Sequence, residues 1–166
     1  MPELDGKVAI VTGAGRLRGI GRAAAVRLAE LGADVVVTGT GRDPSSFPED
    51  EKAVGWRDIE STAEQIRALG RRALPLVANV ADEVQVQGMM DQTLAEFGRV
   101  DILINNAATA IGADRAPIID VPLDVFRWVF DVKVTGTYLC TRAFLKAGPG
   151  KGEGGKIVNI SSTAGK

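Results

Sequence analysis

Lys7-Val8-Ala9-Ile10-Val11-Thr12-Gly13-Ala14-Gly15-Arg16-Leu17-Arg18-Gly19-Ile20-Gly21 is the stretch on which the fold turns. Lys7 to Thr12 is a short run rich in β-branched residues that stops at Gly13, as a buried parallel strand should. Beyond the glycines, Ile20, Ala24, Leu28 and Leu31 recur at helical spacing until Gly32 supplies a stop. A strand running through glycines into a helix gathers unpaired backbone N–H groups and the positive end of a helix dipole at one point, where phosphate binds. Glycines there permit positive φ and let the backbone approach a pyrophosphate without a Cβ clash. The strict G-x-G-x-x-G spacing is absent, because Gly13 and Gly15 are followed by Gly19 and Gly21, so a tight turn without ligand stands as the alternative on the glycines alone. No Gly-Lys-Ser/Thr follows, which disfavours a Walker-type loop.

Outward from this stretch the same alternation repeats. Ala33 to Thr38, with Val35-Val36-Val37, reads as a second strand, and Gly39 to Gly55, rich in Gly, Pro, Ser and acidic residues, reads as a long surface loop. Trp56, Ile59, Ala63, Ile66 and Leu69 step at helical intervals up to Gly70. Ala73 to Val80 is the third strand. Asp82 is placed to N-cap a helix carrying Val86, Met90, Leu94 and Phe97, which Gly98 closes. Ile102-Leu103-Ile104 forms the fourth strand and ends in Asn105-Asn106. Asp120 and Pro122 open a helix running to Ala147, and Lys156 to Ile160 is the fifth strand after a Gly/Pro/Lys loop. Strands alternating with helices call for right-handed crossovers, hence an α/β, doubly wound Rossmann-type parallel sheet with helices on both faces and strand order 3-2-1-4-5. Residues 1–166 read as one dinucleotide-binding domain.

Composition narrows the function. The chain has 166 residues, 45% hydrophobic and 25% charged, which suits a soluble domain with a real core. One cysteine, Cys140, and no histidine exclude a disulfide framework and almost any zinc site, so no metal is expected. Twenty basic residues against 21 acidic ones leave a net charge of −1, which provides no footprint for nucleic acid or an anionic membrane. No apolar run reaches the length of a signal sequence or a membrane span, and the expected location is cytoplasmic. A small-molecule ligand is the expected partner.

Three motifs carry a family resemblance. Leu4 to Gly13 followed by Gly19-Ile20-Gly21 resembles the opening of the short-chain dehydrogenase/reductase family, whose loop reads T-G-x-x-x-G-x-G; this chain has two extra residues between Gly13 and Gly19. Asn105-Asn106-Ala107-Ala108 resembles the family's N-N-A-G, with Ala108 in place of glycine. Lys156 to Ser162 resembles the strand that delivers the catalytic serine, here Ser162. All three stand at carboxyl ends of expected strands, where open parallel sheets bind ligands.

The resemblance implies hydride transfer between a nicotinamide and a carbonyl or alcohol carbon, with Ser162 holding the substrate oxygen. It implies a cofactor set of Thr12, Gly13, Gly15, Arg16, Arg18, Gly19, Ile20 and Gly21 in the glycine loop, Asn79 and Val80 at the end of strand three, and Asn106, Ala107 and Ala108 after strand four. Thr40 and Arg42 complete the set after strand two. An acidic residue for a ribose 2′-OH is wanted about 20 positions past the fingerprint. Thr38-Gly39-Thr40-Gly41-Arg42 offers none, whereas Arg16, Arg18 and Arg42 could neutralise a 2′-phosphate, so NADP is expected, with NAD as the alternative.

The family's Tyr-x-x-x-Lys is expected to lie beyond Lys166, which makes the chain incomplete at its C-terminus. Tyr138 with Arg142 mimics that motif inside the long helix and reads as a decoy. Phe126, Phe130, Lys133, Thr137, Cys140 and Phe144 share one helical stripe, which sets Lys133 where the family carries a relay asparagine and makes it a candidate donor to active-site water, or else a lysine reaching solvent. The apolar 122–147 helix is the expected homo-oligomer interface. A nucleotide-binding module or pseudoenzyme without chemistry is the competing reading.

Overall fold

Four apolar residues, Val8–Val11, form β1, and every one of them is buried because strands flank it on both sides and helices cover both faces. The computed structural model describes residues 3–109, 112 and 114–162. β1 pairs in parallel with β2 (Asp34–Gly39) on one side and β4 (Ile102–Asn105) on the other, so that Ile10 lies opposite both Val36 and Leu103. β3 (Ala73–Val77) adds to β2 and β5 (Lys156–Asn159) to β4, both parallel. The order β3-β2-β1-β4-β5 matches the order expected from the sequence. Pro75, which has no N–H to give a ladder, sits in the edge strand β3, where that loss is tolerated.

The period of two in the strands divides the core. Val8 and Ile10 face one layer, packing with Val36, Met89, Met90, Leu103 and Phe144. Ala9 and Val11 face the other, with Val35, Val37, Ala25, Ala29 and Ile66. Helices α1 (Ile20–Glu30) and α3 (Ile59–Ala68) cover the second layer. The first is covered by α4 (Glu83–Phe97) and α6 (Gly136–Lys146). Asp82 caps α4 as expected, accepting from Val84 N–H at 2.9 Å, and Gly98 closes it at φ +69°. At the opposite end of the sheet, Asp101 ties β1 to β4 by accepting from Val8 N–H at 2.9 Å and from Arg99 Nε at 2.8 Å.

Four expectations need correction. The stretch from Gly39 to Gly55 is not a bare surface loop: it holds a 3₁₀ turn (Pro44–Ser46) and a short helix α2 (Glu49–Ala53), anchored by Phe47 and Glu51, both buried. Trp56 lies ahead of α3 rather than inside it, and β3 stops at Val77 rather than Val80. The long helix is present as α5 (Leu123–Phe130), a π turn (Asp131–Thr135) and α6, but the row of Phe126, Phe130 and Lys133 faces outward. The neighbouring row of Val125, Val129 and Val132 faces the fold. The physical reason is that α6 packs on α4 and β4, whereas α5 extends past the sheet and only half-buries one row. No described helix is long and apolar enough to cross a membrane.

Candidate functional site

The glycine loop is shaped first by its own packing. Gly13 takes φ +67°, and a Cβ there would stand 2.7 Å from Ala107 Cα. A Cβ at Gly21 would overlap the Asn106 amide, which donates to Thr12 O at 2.8 Å and Gly13 O at 2.9 Å. Thr12 Oγ1 accepts from the N–H groups of Asn106 and Ala107, each at 3.0 Å. The loop after β1 and the loop after β4 are thereby locked together at the point where the strand order reverses. Glycines expected to clear room for a ligand thus also clear room for protein: Gly13 for Ala107, Gly21 for Asn106, and Gly15 for the carboxylate of Asp58.

Above this lock opens a cleft of about 680 Å³. Gly13, Gly15, Arg16, Gly19 and Ile20 form its floor; Thr40 and Arg42 line it after β2, Asn79 and Val80 after β3, and Asn106, Ala107 and Ala108 after β4. Gly19 caps α1 without any side-chain hydrogen bond, and the first turn carries no acidic residue, so the first N–H groups of α1 face the cleft floor uncompensated. Among the residues expected from sequence, Thr12 and Gly21 sit behind this lining. Arg18 lies outside it, paired with Asp50 at 2.9 Å and with its side chain 82% exposed. Asn79 Oδ1 already accepts from Ala81 N–H at 3.0 Å.

The segment after β2 holds what sequence reading missed. Arg42 donates through Nη1 to Glu51 Oε2 at 2.9 Å and through Nη2 to Asp58 Oδ1 at 2.8 Å. Its Nη2 also reaches Gly15 O at 3.3 Å, and its guanidinium lies over the Phe47 ring at 4.6 Å. Burial alone would lower the pKa of this guanidinium, but the hydrogen bonds and charges of Glu51 and Asp58 more than offset that and hold it above its usual value. The charge expected to meet a 2′-phosphate is therefore already met by two carboxylates. Glu51 Oε1 accepts from Leu17 N–H at 2.9 Å, Trp56 Nε1 donates to Gly15 O at 2.6 Å, and Thr62 Oγ1 donates to Ala14 O at 2.8 Å. The glycine loop, two residues longer than the family pattern, is braced by this segment. The acidic run carried no periodic signal that would have disclosed it, and Trp56 fell in with the helical spacing of α3 although it lies ahead of that helix.

At the other end of the sheet edge, Asn105 Nδ2 donates to Asn159 Oδ1 at 2.9 Å and to Thr141 Oγ1 at 3.2 Å. Ser162 is exposed just beyond β5, and residues 163–166 lie outside the described residues. Lys133 is exposed and does not line the cleft, which corrects its placement in the inward stripe; the cleft wall there is formed by Val132 and Trp128. Tyr138 is 58% exposed, with its hydroxyl 3.5 Å from Arg142 Nη1, and is likewise outside the lining. Cys140 is buried, and desolvation pushes its thiol up to about 12, so it is no nucleophile.

Comparison with known proteins agrees with this geometry. Residues 7–166 match the family profile described as short chain dehydrogenase. An uncharacterized oxidoreductase of Methylorubrum extorquens is 38% identical over 98% of this chain and 57% of its own length. A short chain dehydrogenase from Mycobacterium paratuberculosis, solved bound to NAD, superposes with a TM-score of 0.83 at 34% identity, over 98% of this chain and 58% of that one. A metagenomic short-chain oxidoreductase in complex with NADP gives a TM-score of 0.78 at 32% identity, over 99% of this chain and 66% of that one. The chain spans a little over half the length of the curated relatives it matches.

Proposed function

The chain belongs to the short-chain dehydrogenase family across residues 7–166, and from that premise we propose that it is the dinucleotide-holding part of an oxidoreductase acting on a small carbonyl or alcohol. The observation that carries the proposal is the cleft itself: it opens at the reversal of strand order and its floor is the uncapped N-terminus of α1. That is where an open parallel sheet binds a dinucleotide. The residues present fit such a group, since uncompensated N–H groups and the exposed Arg16 suit a diphosphate, while Ala107, Val132 and Trp128 offer apolar cover further along.

When bound, a nicotinamide would supply hydride chemistry. The chain's own residues would hold and orient it. Thr12 and Asn106 keep the two loops at fixed separation, the α1 N-terminus and Gly19 hold the diphosphate, and Ser162 binds the substrate oxygen. The second reading is a nucleotide-binding module without chemistry. A cytoplasmic location and pairing through the 122–147 helix belong to the same proposal. The second of these is supported by the exposure of Leu123, Phe126 and Phe130 on one element.

The test is a titration of the protein into NADH and into NADPH, followed by nucleotide fluorescence. Saturable binding of either, lost when Gly19→Asp places a carboxylate at the start of α1, is the expected result. Absence of saturable binding to both overturns the proposal. Oxidation of bound NADH by a panel of carbonyl compounds then separates the enzyme from the module without chemistry.

A further inference from the structure

Resting on the dinucleotide reading, we infer that Asp58 selects an unphosphorylated adenosine ribose, so that the chain takes NAD(H) in preference to NADP(H). In sheets of this type the acid that binds the ribose 2′-OH stands at the end of the second strand. Here that position is Gly39, which has no side chain. A Cβ built on Gly39 would touch Ile59 Cγ2 at 3.0 Å and Asp58 Oδ2 at 3.5 Å, so a carboxylate stands beside that position, delivered by the residue preceding α3 instead of by β2.

Four features of Asp58 agree. It lines the cleft although it is 93% removed from solvent, at 7% exposure. Its Oδ1 accepts from Arg42, but its Oδ2 has no hydrogen-bond partner among the described residues, which a buried carboxylate oxygen rarely tolerates. It stands at the N-cap of α3, yet its side chain makes no capping bond. Its backbone takes φ 53° and ψ −131°, a region that L-residues with a side chain rarely enter and that tends to be retained at binding sites. The cap is forgone and the backbone strained, and in return the carboxylate points at the cleft wall.

Charge argues the same way. Arg16, Arg42 and Asp58 are the charged residues lining the cleft, and Arg42 is flanked by both Asp58 and the buried Glu51. That cluster carries one net negative charge. A 2′-phosphate placed there would add a dianion beside a buried carboxylate, whereas a 2′-hydroxyl adds no charge and can donate a hydrogen bond to the carboxylate. Arg16 is exposed in the glycine loop, next in sequence to Gly15.

The experiment measures dissociation constants for NADH and NADPH by fluorescence, and for AMP and adenosine 2′,5′-bisphosphate by competition, on the wild-type chain and on Asp58→Asn. The wild type is expected to favour NADH and AMP by about tenfold or more, the scale of a like-charge clash at a binding surface. Asp58→Asn keeps the shape and removes the charge, and is expected to shrink that ratio by about the same factor. Thermal unfolding establishes that the variant is folded, and Asp58→Ser serves if it is not. A wild type that favours NADPH, or an unchanged ratio in a folded variant, overturns the inference while leaving the dinucleotide reading intact. Failure of all four nucleotides to bind overturns both.

Discussion

The indole N–H of Trp56 donates to the carbonyl of Gly15 at 2.6 Å, across 41 positions of sequence, and so fastens the glycine loop to the segment that follows β2. Trp56 is buried, and the acceptor lies in a loop that also receives Arg42 and gives Leu17 N–H to Glu51. Trp56→Phe keeps most of the apolar contact and removes the donor. It is expected to destabilise the fold by about 1–2 kcal/mol and to weaken NADH binding as the loop loosens. Urea unfolding and the fluorescence titration read the two effects; a variant unchanged in both would show that the bond does not hold the loop.

Gly13 and Gly55 both take positive φ, +67° and +63°, but only Gly13 meets backbone, at 2.7 Å from Ala107 Cα, while nothing lies within 4 Å of a Cβ at Gly55. Gly55→Ala is therefore expected to cost only the conformational penalty, about 1 kcal/mol. Gly13→Ala adds a clash that neither backbone can relieve without parting the loops after β1 and β4. It should cost at least about 2 kcal/mol more and abolish NADH binding. Equal destabilisation of the two variants would contradict this account of the loop.

Thr12 Oγ1 accepts from two N–H groups, those of Asn106 and Ala107. Thr12→Val preserves volume and leaves both donors without that acceptor in a region where Thr12 itself is 1% exposed. A loss of about 2 kcal/mol is expected, together with faster amide exchange at Asn106 and Ala107 that spares the centre of β4. Unaltered exchange at those two amides would argue against the lock.

Asp101 sets a pH dependence. Burial works to raise its pKa, yet the hydrogen bonds from Arg99 and Val8 N–H, with the charges of Arg99 and Lys7, hold it below the usual carboxylate value. A carboxyl whose pKa is lower folded than unfolded contributes its full stabilisation above the unfolded value, about 3.9, and loses it as pH falls through the folded one. Asp101→Asn is expected to be less stable than the wild type at pH 7, with the gap narrowing below about pH 4. A gap that stays constant across that range in denaturant titrations would remove Asp101 from the account.

Cys140 is expected to resist alkylation. With its thiol pushed up to about 12 by desolvation and the side chain buried, iodoacetamide should modify the native protein only at the rate of opening, and rapidly once urea unfolds it. Rapid labelling of the folded chain would mean that α6 does not seal that side of the core.

The strands were legible because each is a local event. Val8–Val11, Val35 to Val37 and Ile102 to Ile104 are short apolar runs with punctuation at their carboxyl ends, and burial on both faces admits little else. The rim positions Thr12 and Asn105 followed from where the first and fourth strands stop, while Asn79 and Asn106 followed from the family resemblance. The face that α5 buries was less legible, since two apolar rows run side by side along it and the choice between them depends on how far the sheet reaches beneath. Asp58 was not legible at all: it breaks no period, and it matters because Gly15 and Gly39, distant in the chain, both leave room for it.

Local patterning thus dictated a parallel five-stranded sheet with a phosphate-sized turn at its centre, because backbone hydrogen bonding and apolar period are properties of neighbours in sequence. Which charges remain available in the cleft was settled by folding alone. Arg42 reads in one dimension as a free cation beside a missing acid; in three dimensions Glu51 and Asp58 close on it and one carboxylate oxygen is left over. Charge compensation depends on distances through space, and those exist only once the chain has closed on itself.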